Sequence, residues 1–457
     1  MAKAFKFLRN IVFLFLTFLL LQNHTWASVG SSTGYDARTA GLSNPSAISR
    51  PGAFSAFENP ATLASLSENS LAPNSRYRFG YGFVWAKAFP KETASIVTES
   101  PLVSTRTDDQ TGTYVPEAEP VWGQVLGASF VLAPSLWNLT AGLASFAPVE
   151  QVTAMDTGET YLPSLSRYQN LGQAPELSIG FGVHPTEKLE AGFGAQLMYR
   201  ITGKTDAFFA SSSTKSSTAR LRTKAKPVFV PFFGLLFHPT SNVRVGTTLR
   251  LPAKSQATFR VDSRGEVLAG VGSFRYGVDM QSTVVYEPLT WSLGAAWQHS
   301  PIAEFLIQAE YQKWKDYEVP AIKIEPTIAE GVSARPSVDP TYPFRNVWIL
   351  RVAEEVTFEP VTMRAGYTYS PSILEKTPTG AGNLIDPDIH RMTLGAGRYL
   401  SAQWHLEAYL IHEFWGDAQV TKTANNETGA SGNKIGSPGY TSGGHLWGAG
   451  FTLGLDL

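Results

Sequence analysis

"HLWGAGFTLGLDL", residues 445–457, ends the chain in strict alternation. Trp447, Ala449, Phe451, Leu453, Leu455 and Leu457 share one face, and Gly448, Gly450, Thr452, Gly454 and Asp456 share the other. A period of two held over this length is a strand. Strands of about ten residues or more, apolar on one face and polar on the other, are the sequence form of a transmembrane β-barrel, whereas soluble sandwiches use strands nearer five or six. The same pattern runs through "VTMRAGYTYS" (361–370), with Val361, Met363, Ala365, Tyr367 and Tyr369 on one face. In "QWHLEAYLIHEF" (403–414), Trp404, Leu406, Ala408 and Leu410 likewise oppose Gln403, His405, Glu407 and Tyr409.

Composition agrees with this reading. The 457 residues carry a net charge of −1, so no basic footprint for nucleic acid exists. Charged residues make up 16% and aromatic residues 12%. The absence of cysteine removes disulfides, thiolate metal sites and cysteine nucleophiles together. Lys3, Lys6 and Arg9 precede an apolar run from Ile11 to Leu21, and Thr25-Trp26-Ala27 offers small residues for cleavage. Residues 1–27 therefore read as a secretory signal peptide, too short in its apolar part for a spanning helix. No later apolar run reaches spanning length, so an exported chain of this kind is soluble or crosses a membrane as a barrel.

Connections separate those two outcomes. Tight turns fall at Pro134-Ser135, Pro185-Thr186, Pro239-Thr240, His299–Ile302, Glu359-Pro360 and Ser401-Ala402. Between them lie polar stretches near 89–120, 148–173, 203–225, 262–275, 317–342, 371–388 and 417–442. Seven long loops alternating with six short turns give fourteen antiparallel strands with both termini on the short-turn side. Pro288 interrupts 276–298, but splitting there gives fifteen strands, and parity favours keeping it whole.

Catalytic patterns are weak. "GSSTG" (30–34) matches G-x-S-x-G around Ser32 without the strand and helix that a nucleophile elbow requires. The glycine pairs of "GYG", "GFG" and "GAG" lack a third glycine and lie inside strands. His184, His238 and His299 occupy different hairpin turns and read as turn residues, not a metal site. Lipid-facing charge costs about 2–4 kcal/mol at mid-depth, which turns Arg364, Glu310, Glu355 and Glu407 inward, where pairing across the lumen is the expected use. The sixth strand, "PVFVPFFGLLFH" (227–238), is apolar on both faces: Val228, Val230, Phe232 and Leu236 oppose Phe229, Phe233, Leu235 and Phe237. Its inner face therefore lines a greasy pocket or packs on a plug, and Pro231 implies a bulge or kink.

The N-terminal stretch "GAFSAFENPATLA" (52–64) supplies the plug: Asn59 suits a helix cap and Pro60 the first helical position. Asn59, Pro60 and Ala61 resemble the Asn-Pro-Ala segment of FadL-type outer-membrane transporters of long-chain fatty acids and other hydrophobic compounds. "EFLIQAEYQKWKDY" (304–317), with Tyr311 and Trp314, resembles that family's strand before a large outer loop. "PVTMRAGYTYSPS" followed by "DPDIHRMTLGAGRYL" resembles its Arg-Ala-Gly-Tyr strand and Pro-Asp loop. Departures are Pro51, Gly52 and Ala53 in place of acidic residues, Thr62 in place of a glycine, and a terminal Leu457 in place of an aromatic.

The resemblance implies an all-β, 14-stranded transmembrane barrel (73–457) closed by a hatch of residues 28–72 containing short helices. It further implies passive uptake of a fatty acid or aromatic hydrocarbon, caught at an outer groove and passed to a site beside the hatch. Release is sideways at a kink in the third strand (136–147), where Gly142 is the candidate. Phe54 and Phe57 of the hatch with Phe229, Phe233, Leu235 and Phe237 are the candidate ligand pocket, and Asn59 caps the hatch and ties it to the wall. No enzyme activity, cofactor or metal is expected. Expected partners are the hydrophobic solute, outer-membrane lipids and the barrel-assembly machinery, with a monomer as the working unit in the bacterial outer membrane. The alternative is a scaffold or shuttle that binds secreted proteins through its outer loops.

Overall fold

A computed structural model describes residues 34–65, 76–99, 110–114, 120–149, 164–165, 176–209, 218–266, 273–317, 323–329, 343–376, 384–421 and 439–457. The expected signal peptide (1–27), Ser32 and the expected 72–73 boundary lie outside these residues. No described helix is long and apolar enough to cross a membrane.

The wall strands are β1 (Tyr77–Pro90), β2 (Val121–Ala133), β3 (Leu139–Pro148), β4 (Glu176–Thr186), β5 (Leu189–Phe209), β6 (Thr218–Thr240) and β7 (Val243–Arg250). They continue with β8 (Leu289–Ser300), β9 (Ala303–Lys313), β10 (Val347–Phe358), β11 (Val361–Ser370), β12 (Ile389–Tyr399), β13 (Trp404–Thr421) and β14 (Gly439–Asp456). Each pairs antiparallel with its neighbours, and β14 returns to β1 along an unbroken register from Arg78↔Asp456 to Pro90↔Gly444, which closes a fourteen-strand barrel. Leu457 N–H donates to Tyr77 O at 2.9 Å, so the seam is sealed to its last residue. Closure pairs each wall strand with a neighbour on both sides over its shared length, the condition for a sheet in lipid.

The outer surface is greasy by register. Phe181, Phe193, Phe233, Leu249, Trp291, Tyr311 and Trp348 are successive partners across seven strands. Six of the seven are 37–49% exposed, so this row faces outward as lipid-contacting surface.

Two proline positions revise the strand boundaries. The wall leaves β7 at Arg250 and resumes at Leu289, because Pro252 and Pro288 stop both strands at one level. Pro288 does split 276–298, and the strands Ala253–Glu266 and Ser273–Glu287 form a hairpin outside the wall, so the count stays fourteen. Parity was the right rule applied to the wrong segment. Pro231 makes no bulge: β6 runs past it without a register shift against β5. Its missing donor faces the β7 side at the point where β7 pairing ends, and its carbonyl accepts from Leu251 N–H at 3.3 Å.

Candidate functional site

Residues 34–65 occupy the lumen and contain little regular structure: a helix α1 (Ala37–Gly41) and single turns at Ser46–Ile48 and Pro60–Ser65. A buried segment with so few internal hydrogen bonds must find outside partners for its backbone. Inward-facing wall side chains supply them. Thr452 Oγ1 accepts from Ala37 N–H at 3.0 Å and Thr393 donates to Gly41 O at 2.8 Å, so β14 and β12 cap the two ends of α1. Gln308 accepts from Ala47 N–H at 2.9 Å, Arg78 donates to Pro51 O at 2.6 Å, and Ser129 donates to Gly52 O at 3.0 Å. Ser178 donates to Ala56 O at 2.5 Å. Asn138, held at φ 53° in the β2–β3 turn, donates its amide to Ala64 O.

Asn59 is fully buried and makes the densest set of these contacts. Its Oδ1 accepts from Ala61 N–H at 3.0 Å, and its Nδ2 donates to Ala47 O at 2.7 Å and to Leu235 O of β6 at 3.4 Å. Its own carbonyl accepts from Thr62 at 2.8 Å. The wall is flattened to admit this turn. Gly182, Gly192 and Gly234 are register partners on β4, β5 and β6. A Cβ on Gly192 would overlap Ala61 N, and one on Gly234 would overlap Asn59 Oδ1.

Charge holds the opposite side. Arg38 forks onto Glu355 at 2.9 and 2.8 Å, Arg50 reaches Glu304 at 3.2 Å, and Arg244 holds Glu304 at 2.7 Å. Arg364 bonds Glu355 at 2.6 Å and also Glu407, while Glu310 pairs with Arg351 at 3.0 Å. The four charges expected inside are thus inside and paired. Two polar cavities of about 300 and 190 Å³ flank Arg50-Pro51 toward the short-turn side. The three turn histidines stand apart from one another, with His238 on Glu190 at 2.8 Å and His299 on Glu354 at 2.7 Å. Among the described residues no group of His, Cys, Asp or Glu has metal-binding geometry.

The aromatic candidates separate. Phe54 is 3% exposed and lies over Gly80 and Gly127, and Phe57 is stacked on Tyr35 at 4.0 Å between centroids. Phe229, Phe233, Leu235 and Phe237 are 45–65% exposed on the outward face, so they form lipid-facing wall and not a pocket with Phe54 and Phe57. Period two fixes which residues share a face but not which face is inside when both are apolar. The inward set is Val230, Phe232, Gly234 and Leu236, and Gly234 and Leu236 pack on the lumen segment. Gly142 carries no kink: β3 pairs in continuous register from Thr140↔Gly182 to Phe146↔Glu176. A Cβ there would come 2.8 Å from Leu63 Cδ2, so this glycine makes room for the lumen segment.

An apolar lumen face that the sequence reading missed lies on the other side. Ala86, Ala88, Val121, Ile389, Trp415, Val420, Tyr440 and Leu446 cluster near the long-loop mouth. Below them Val84, Val125, Ala144 and Phe146 meet Tyr35, Ala53, Phe54, Ala56 and Phe57. These residues sit at inward positions on β1, β2, β3, β12, β13 and β14 and form a greasy strip from the mouth to the lumen segment. Each contributing strand gives only one to three residues to this strip, too few to mark it in any single strand.

No family model and no curated relative matches the sequence. Solved structures do. A FadL homologue of Pseudomonas aeruginosa is 12% identical, with a TM-score of 0.58 over 95% of this chain and all of that one. The Pseudomonas putida toluene transporter TodX is 13% identical, with a TM-score of 0.54 over 93% and 99% of the two chains. The monoaromatic hydrocarbon channel CymD is 12% identical, with a TM-score of 0.52 over 93% and 98%. The chain has the FadL-type fold: a fourteen-strand barrel whose lumen is filled by its own N-terminal segment.

Proposed function

We propose that this protein is a bacterial outer-membrane channel through which hydrophobic small molecules enter passively. The observation that carries this reading is the apolar strip from Trp415, Tyr440 and Leu446 at the mouth to Tyr35, Phe54 and Phe57 of the lumen segment. A water-filled porin has a polar interior. The side chains of the strip are buried against one another, so a solute reaches them by taking a neighbour's place, with a gain of about 25 cal/mol per Å² of its apolar surface that leaves water. The likeness to a toluene transporter and a monoaromatic hydrocarbon channel supports a compact aromatic solute as cargo, and the resemblance carried by Asn59, Pro60 and Ala61 adds a fatty acid as the second candidate.

Below the lumen segment the cavities are lined by ion pairs, so straight passage offers an apolar solute no gain. Release sideways into the membrane, once the segment or an adjacent strand moves, fits that polarity better. The wall charges serve structural pairing in this reading.

The experiment is accumulation of radiolabelled toluene and oleate by cells that lack their own channel of this type and express this chain. Uptake above empty-vector cells, lowered by Trp415→Asp with the barrel still folded, is the expected result. Uptake equal to empty-vector cells refutes the function.

A further inference from the structure

The hairpin at the mouth and the segment in the lumen are joined at both roots of the hairpin. Arg250, the last wall-paired residue of β7, donates from Nη2 to Phe57 O and, at 2.9 Å, to Glu58 O. Its guanidinium lies 4.3 Å over the ring of Phe232, which fixes its direction. Two residues further on, Pro252 starts the hairpin's departure from the wall. At the other root, Glu287 stands just before Pro288 and accepts from Gln196 Nε2 at 3.4 Å. Gln196 is 4% exposed on the inner face of β5 and also donates to Glu176 at 2.9 Å, and Glu176 accepts from Tyr35 Oη. The two chains of contacts end on Phe57 and Tyr35, whose rings are stacked on each other.

The hairpin itself reaches over the mouth. Its first strand pairs in parallel with β5 from Ala257↔Ile201 to Gly265↔Phe209, and its second pairs with Lys323–Ala329, which follows β9. The hairpin thus bridges two parts of the rim and meets the wall at two proline-broken roots, the places where a displacement of it would be absorbed.

We propose that Arg250 is a positioning residue that couples the mouth hairpin to the lumen segment, so that moving the hairpin frees the Tyr35–Phe57 pair and the turn leading into Asn59. Glu287, through Gln196 and Glu176, is the second link. This goes beyond the uptake reading, because the coupling is a property of the fold whatever passes through it.

Amide exchange of the full protein in nanodiscs, followed by mass spectrometry, tests it without any transported solute. The hairpin is excised by joining Lys254 to Val285 through a short Gly-Ser turn. Excision accelerates exchange in residues 52–65 by about tenfold or more, and Arg250→Ala does so to a similar degree with the hairpin present. The double change exceeds either alone by no more than about twofold, because excision acts on the segment through the Arg250 link that the substitution removes. Exchange in β10–β12 stays unchanged, which separates this from loss of the barrel. Unchanged exchange in 52–65 after excision overturns the proposal, as do two effects that multiply. If the shortened chain does not assemble, Pro252→Gly with Pro288→Gly loosens the same roots and carries the same expected and refuting outcomes.

Discussion

Asn59→Ala is the most direct perturbation of the lumen segment. The side chain is fully buried, so its partners have no water to turn to. Truncation removes the acceptor for Ala61 N–H and the donor to Ala47 O, bonds of 3.0 and 2.7 Å, along with the longer contact to Leu235 O. Loss of a capping acceptor costs about 1 kcal/mol. A buried carbonyl left without a donor costs about 1–3 kcal/mol more. Together these weaken docking of the segment by about 2–4 kcal/mol, which raises its undocked fraction roughly 30- to 700-fold. The barrel ladder does not involve this side chain, so heat-modifiable migration on gels stays normal. In planar bilayers the variant conducts small ions more often than the wild type, and hydrophobic uptake falls because Phe57 and Tyr35 no longer hold their places. Asn59→Asp separates the two terms, since it keeps the acceptor and loses both donors. Conductance and uptake both equal to wild type would refute the reasoning, because they would mean that the glycine-flattened wall alone holds the turn.

Two further outcomes follow from the same geometry. Burial, with Asp36 nearby, pushes the Glu58 carboxyl up from 4.5 to about 7. The docked segment therefore holds a proton that the released segment gives up, so docking weakens as pH rises from about 4.5 to 7, by up to about 3 kcal/mol, and levels off above. A nitroxide on Gly52→Cys, where an added Cβ meets only Arg50 O at 3.9 Å, in a chain without native cysteine, reads this as rising mobility. Glu58→Gln abolishes the pH dependence, and a pH dependence that survives it contradicts the assignment. On the outer wall, Phe233→Lys places a charge in lipid at a cost of about 2–4 kcal/mol and lowers the yield of folded barrel, whereas Phe233→Leu leaves uptake unchanged. Loss of uptake in Phe233→Leu would restore this face to the ligand site.

How far the sequence could be read depended on whether one residue or many decide a feature. Strand existence and turn positions were legible because alternation repeats along each strand; four short turns fall at the predicted positions, and those expected at Pro185-Thr186 and Pro239-Thr240 fall two residues later, at Glu187-Lys188 and Ser241-Asn242. The inward charges were legible because lipid excludes the alternative for Arg364 and Glu407. Both faces of β6 are apolar, so the choice of inner face rested on Gly234, the one inward position that a side chain would fill with Asn59. That glycine is visible in the sequence, but its meaning requires knowing what lies across the lumen. The apolar strip is illegible for a related reason, since Val84, Val125, Phe146 and Trp415 come from β1, β2, β3 and β13 and meet only through barrel closure.

The lumen segment joins these points. Its sequence has few long apolar side chains and only one five-residue helix, so it cannot fold by burying its own surface. Its order is imposed by the wall, through threonine, serine, glutamine and arginine at inward register positions and glycines where the backbone must approach. A segment ordered from outside in this way loses contacts a few at a time, since no internal core forces it to move as one body. The turn at 57–65 is held by packing against β4–β6, and residues 38–50 add the ion pairs of Arg38 to β10 and Arg50 to β9 to their own packing and hydrogen bonds. The two halves therefore respond to different perturbations. Raised salt weakens the second more than the first, although burial limits the effect. Glycine-to-alanine changes on β4–β6 act first on the 57–65 turn, where the added Cβ would overlap Ala61 N or Asn59 Oδ1, and reach residues 38–50 only through the bond from Asn59 to Ala47 O.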